Sequence, residues 1–234
     1  MDKKFRLLVC CEESQRVCIA FRAKGWEAYS CDIEPCSGGH PEWHIQQDVL
    51  PLINGDCTFT TVDGVEHRID GQWDLLICHP PCTYLSNAGA RHLWKGHQLN
   101  QERYAKGLEA KAFFMKFYNA KCEHVVVENP IPSKIYELPA YTQTVQPYEY
   151  YGKRHPYTKK TCLWERNVPQ LIPINPVEPV ATWCPSGSYS HKHGAKHKGM
   201  FTTDRAKNRS KTFEGIAQAM ADQWGAYIEG ESNG

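Results

Sequence analysis

Four short apolar runs, each followed by a residue with chemistry of its own, constrain this chain more than any other feature. They are Phe5 to Cys11, Trp26 to Cys31, Trp73 to Cys78 and His124 to Val127. Runs this short and this apolar suit strands buried on both faces, as in a parallel sheet. Between the first two, Ser14 to Lys24 brings Val17, Cys18, Ala20 and Phe21 toward one helical face, and Gly25 closes that helix. The second run closes on Asp32. Strand, helix, strand with an acid at the second strand's end is the opening of a nucleotide-binding α/β sheet, in which ligands lie at the carboxyl ends of parallel strands.

A second helix is predicted from about Asn100 to Ala120, with Leu108, Ala112, Met115 and Phe117 or Tyr118 on its apolar side. A third is predicted over Thr212 to Tyr227, where Phe213, Ile216, Ala217, Met220 and Trp224 recur at helical spacing. At 234 residues the chain has room for one α/β domain and a small appendage. The appendage is predicted where Pro, Gly, Ser, His and Lys crowd together, from about Asn167 to Arg209. The domain reading is therefore 1–160 with 210–228 as the core and 161–209 as a short insert. No run of eighteen apolar residues exists, so a cytoplasmic protein without a membrane span is the expectation; a monomer is the working expectation, with nothing in the residues that derives it. Eleven cysteines in such a chain point to reduced thiols. With 27 Lys and Arg against 26 Asp and Glu, any nucleic-acid surface has to come from local clustering of charge.

Two of the runs lead into proline-bearing turns that carry a reactive side chain: Cys82 after Pro80-Pro81, and Glu128 before Asn129-Pro130. Proline fixes the backbone and ends a strand. A lone cysteine is usually an inert core residue. A thiol and a carboxyl group at the ends of neighbouring strands make a more specific pattern.

At these residues the chain resembles the DNA cytosine carbon-5 methyltransferases. Asp74-Leu-Leu-Ile-Cys-His-Pro-Pro-Cys82-Thr-Tyr-Leu-Ser86 is similar to the family's strand, Pro-Pro-Cys turn and following serine. Val126-Val-Glu128-Asn129-Pro130 is similar to its Glu-Asn-Val motif. The resemblance implies a Rossmann-like fold that uses S-adenosylmethionine, with Asp32 on the cofactor ribose, Asp48 near the adenine amine and Pro80 lining the cofactor site. It extends to Tyr151-Gly152 and His155-Pro156-Tyr-Thr-Lys159-Lys160-Thr161, where Lys159 stands in register with the family's first arginine and Thr161 replaces the second. Ser210 to Ala221 is similar to the family's closing helix. One departure is plain: the turn after the first strand, Cys10-Cys11-Glu12-Glu13-Ser14-Gln15, has no glycine. Glu12 and Glu13 there read equally as charge partners of a sulfonium and ammonium ligand, or as a solvated helix start.

The chemistry accounts for the residue types. Cytosine carbon 5 accepts a methyl group only after a nucleophile adds at carbon 6, and thiolate suits that addition. The resemblance gives Cys82 this role. It implies that Glu128, with its pKa raised by an apolar pocket, donates to ring nitrogen 3. In a duplex the base must leave the stack. DNA contact is expected from Ser86, from Lys160 and from the insert, where Lys192, Lys196 and Lys198 lie among Trp183, Tyr189 and Phe201. Cys162, Cys184, His191, His193 and His197 offer a zinc reading, but their spacing is irregular and lacks a C-x-x-C pair, so no metal is expected. Two rivals stand beside the methyltransferase reading. One is the same apparatus acting on RNA or a free pyrimidine nucleotide, and the other is a catalytically silent DNA-binding relative.

Overall fold

The computed structural model describes residues 4–182 and 211–232. A seven-stranded sheet forms its centre, built from β1 (Arg6–Cys10), β2 (Glu27–Asp32), β3 (His44–Gln46), β6 (Leu75–Cys78), β9 (His124–Pro130), β10 (Gln143–Val145) and β12 (Thr161–Arg166). The order is β10-β12-β9-β6-β1-β2-β3. Strands β3, β2, β1, β6 and β9 run parallel to one another, and β12 runs antiparallel to both β9 and β10. The α/β, Rossmann-like fold expected from the four runs is therefore present. The strand order reverses between β1 and β6, which puts the crevice of such a sheet at their carboxyl ends.

Alternation along β1 sorts the core into two layers, because successive strand residues face opposite ways. Leu7 and Val9 pack with Val17 and Phe21 of α1 (Arg16–Arg22) and with Ile216, Met220 and Trp224 of the closing helix, here α3 (Glu214–Glu231). Leu8 and Cys10 face the other layer, formed by Phe114 and Phe117 of α2 (Gln101–Tyr118) together with Phe59 and Trp73. Phe59 belongs to an antiparallel hairpin, β4 (Cys57–Thr60) with β5 (Glu66–Ile69), that lies in the crossover between β3 and β6. Its Asp63-Gly64 turn is a hairpin signal that helix and strand periodicity alone pass over. Four small strands form the two remaining ribbons among the described residues: β7 (Trp94–Lys95) pairs with β8 (Gln98–Leu99), and β11 (Tyr157–Thr158) pairs with β13 (Ala181–Thr182).

Two expectations are corrected. Along α2, Leu108 and Ala112 are exposed, while Gly107, Phe114 and Phe117 are buried. Gly107 sits against the Tyr136 ring, where any Cβ would clash, and this contact sets the helix rotation. The insert also begins later than residue 161, since Thr161–Arg166 is a strand of the central sheet. Leu163 and Trp164 in it are core residues. Among the described residues no helix is long and apolar enough to cross a membrane.

Candidate active site

Cys82 follows β6 in a turn held from within. Leu85 and Ser86 both donate their backbone N–H to the Cys82 carbonyl, at 3.2 and 3.0 Å. Ser86 is buried, so it braces the turn. Pro80 is buried and Cys82 partly exposed. Cys31 and Cys122 are unsuited to attack, since burial pushes both thiols up to about 12.

Glu128 lies inside β9, opposite Leu163 of β12, and not in a turn beyond the strand as expected. Register brings it to the Cys82 turn. Cys78 of β6 pairs with Val127 of β9, so the next residue on each strand, His79 and Glu128, stand side by side. His79 Nδ1 lies 2.7 Å from Glu128 Oε2, with both side chains largely out of water. One residue further along each, Asn129 Nδ2 donates to the Pro80 carbonyl at 2.8 Å. The two motifs are thus tied to each other twice.

The pair's electrostatics correct a second expectation. Burial pushes the Glu128 carboxyl up, yet the His79 hydrogen bond, the His79 charge and the Lys159 charge together outweigh it and hold the group below the usual glutamate value. Burial likewise opposes charge on His79. The hydrogen bond and charge of Glu128, with the charge of Glu12, overcome burial and raise its pKa. Lys159 stands over the Phe213 ring at 5.3 Å, which links this side of the site to the start of α3. Lys160, next to it, is exposed.

On the other side of the crevice, Glu12 and Glu13 are both buried, which removes the reading of a solvated helix start. Glu12 accepts hydrogen bonds from the backbone N–H of Val17 at 2.7 Å and Cys18 at 3.3 Å, and so caps α1 from the preceding turn. Burial pushes its carboxyl up. The glycine-free turn takes left-handed backbone at two other residues, Cys11 with φ 59° and Gln15 with φ 58°. The close approach comes instead from a second loop, whose Gly38 packs so tightly on Gln15 and Ser14 that a Cβ there would lie 2.6 Å from Gln15 Cβ.

Asp32 ends β2, where its Oδ1 accepts from the Glu34 N–H at 3.0 Å. Burial pushes its carboxyl up, and the charges of Glu13 and Glu34 add to that against the Glu34 hydrogen bond and the His44 charge. Asp48 is exposed beyond β3, and its charge reaches the thiols of Cys11 and Cys31. Glu13, Asp32, Glu34 and Asp48 thus concentrate negative charge at the ends of β1, β2 and β3.

One surface feature was not foreseen. Beyond the Cys82 turn an open cavity of about 450 Å³ is lined by Tyr84, Arg91, Trp94, Lys95 and Arg103, with Lys106 paired to Glu102 at 2.8 Å on its rim. Arg103 is fixed there, over the Tyr84 ring at 5.0 Å and donating to the carbonyls of Thr83 and Gly89. Trp94 is half exposed. These basic residues are spread over sixteen positions, Arg91 to Lys106, with no dense charge run to mark them. Lys192, Lys196 and Lys198 lie outside the described residues.

No family model matches the chain, and no curated protein matches it. Among solved structures it is similar to a protein described as a DNA modification methyltransferase encoded within a prophage of E. coli, with 12% identity and a TM-score of 0.42. That likeness covers 75% of this chain and 53% of the other. It is also similar to the Entamoeba histolytica methyltransferase EhMeth, with 11% identity, a TM-score of 0.37 and coverage of 75% and 58%. The chain thus spans little more than half the length of either protein. Neither likeness is close enough to bring a substrate or a reaction to this chain.

Proposed function

We propose that this protein transfers a methyl group from S-adenosylmethionine to carbon 5 of cytosine in DNA, with Cys82 as the attacking thiolate. The observation that carries the reading is the double tie between the Cys82 turn and Glu128, through the His79 hydrogen bond and the Asn129 to Pro80 bond. It supports a thiol and a carboxyl group acting on one planar ring.

The residues on the β1, β2 and β3 side suit the cofactor. A sulfonium and an ammonium group are cations, and the acids gathered there supply the complementary charge. Asp32 suits the ribose hydroxyls as an acceptor of two hydrogen bonds, and Glu13 and Asp48 suit the cationic and amine ends. When bound, S-adenosylmethionine supplies a methyl group activated by its positive sulfur. Cys82 adds to carbon 6, Glu128 donates to nitrogen 3 once it carries a proton, and after methyl transfer the carbon 5 proton passes to a base as the Cys82 thiolate leaves. The basic surface around Arg91, Lys95 and Lys106, with Trp94 beside it, suits a phosphate backbone and a stacked base next to the Cys82 turn.

Incubation with methyl-labelled S-adenosylmethionine and duplex DNA, single-stranded DNA or RNA, followed by bisulfite sequencing, tests the reading. Label at carbon 5 of DNA cytosine is expected from the wild type and none from Cys82→Ser. Label on RNA alone, or on adenine, would replace the substrate named here.

A further inference from the structure

We propose that His79 is a positioning residue for Glu128 and holds the proton that cytosine nitrogen 3 receives when the thiolate adds. The role rests on the function proposed above, and it belongs to a residue that the family resemblance does not single out.

Geometry carries the inference. His79 Nδ1 is 2.7 Å from Glu128 Oε2, and its side chain is only 7% exposed. An ionised carboxylate has no proton to give, so the imidazole Nδ1–H donates in this bond. The opposite ring nitrogen, Nε2, is buried with no hydrogen-bond partner among the described residues. Such a ring is finely balanced: Glu128 favours its charge while the desolvated Nε2–H opposes it. Two further charged groups bear on the pair. They are Glu12 from the turn after β1, which favours the imidazolium, and Lys159 from the turn before β12, which opposes it. A base lodged against Glu128 therefore alters the hydrogen bond that holds the proton on the ring.

The step balances. As the sulfur–carbon 6 bond forms, the 5,6 double bond breaks and its electron pair shifts toward carbon 4 and nitrogen 3. Nitrogen 3 takes the proton of the pair through the Glu128 carboxyl, leaving His79 neutral and Glu128 ionised. The proton returns to His79 when the adduct collapses and the thiolate leaves. No oxidant or further reactant is required.

His79→Asn keeps a neutral donor near the Nδ1 position and removes the titration. The variant is expected to bind S-adenosylmethionine and DNA like the wild type, by calorimetry, and to lose about 100-fold in kcat, the scale of proton-transfer assistance. Its kcat profile should also lack the alkaline fall that the wild type shows as His79 loses its proton. A variant with wild-type kcat, or a slow one that keeps that alkaline limb, overturns the role. Nitrogen-15 spectra of the histidine side chains, assigned with His79→Asn, give a readout without turnover. The His79 pKa should fall in Glu128→Gln, and an unchanged titration overturns the pair itself. A wild type whose His79 titrates with Glu128 but which methylates no cytosine overturns the reaction, and the proton-carrying role with it, while leaving the pair intact.

Discussion

The turns after β1 and after β6 leave the sheet at the same crevice, yet they are built by opposite means. The first is a packed knot: Glu12, Glu13, Ser14 and Gln15 are all buried, two residues take left-handed backbone, and a glycine from another loop is pressed against it. The second keeps its reactive thiol partly exposed and draws its order from two hydrogen bonds to the neighbouring strand. What differs is where the charge is kept. Acid gathers at the first, which suits a cationic ligand that has to be recognised by field. At the second an acid is matched with a histidine, which suits chemistry in which a proton has to move.

The largest effect that would break this contrast is at the second turn. Cys82→Ser should reduce methyl transfer to background while leaving the melting temperature and cofactor affinity near wild type, because the hydroxyl fits the turn but is a far weaker nucleophile. Next comes the first turn. Asp32→Ala should weaken S-adenosylmethionine binding by about 10- to 100-fold, the scale of charge-assisted hydrogen bonds, and calorimetry reads it directly. Unchanged affinity would mean that the acid-rich side does not hold the cofactor.

Nucleic-acid affinity sharpens the comparison further. Replacing Arg91, Lys95 and Lys106 with alanine should flatten the slope of log affinity against log salt by about 2 to 3 units. The triple alanine variant of Lys192, Lys196 and Lys198 provides the competing measurement, and whichever set moves the slope marks the phosphate-contacting face. The smallest effect concerns the pair itself. Glu128, with a lowered pKa, stabilises the fold above the ordinary glutamate value of 4.5 and loses that contribution as pH falls through its folded pKa. His79, with a raised pKa, contributes fully below 6.5 and loses it as pH rises through its folded pKa. Urea denaturation of wild type and Glu128→Gln should therefore differ most between pH 4.5 and 6.5, by about 1 kcal/mol.

Much of this was legible in the residues alone. The four apolar runs became β1, β2, β6 and β9, and every apolar position expected on α3 is buried. Periodicity works there because those elements are covered by core. It fails on α2, which carries apolar residues around most of its circumference, so that the Gly107 contact with Tyr136 decides its rotation. In the site, the expectation of a raised Glu128 pKa considered burial but no cation beside it. His79 is forty-nine residues away in sequence, and only the parallel register of β6 with β9 brings it alongside. Its place directly before Pro80-Pro81 was the available signal, since a residue one step beyond a strand pair inherits its neighbour from that register.

The docking of α3 on α1 has a consequence for how the chain is made. Lys24 pairs with Asp222 at 2.5 Å and Trp26 Nε1 donates to Glu229 at 2.6 Å, while Phe21 packs in one layer with Trp224. The unit of β1, α1 and β2 thus finds the partner for its apolar face only about two hundred residues further along the chain. At a synthesis rate of roughly 5–20 residues per second that face waits ten seconds or more. During that interval Val17 and Phe21 lack the cover of α3, and the exposed apolar face is prone to aggregation.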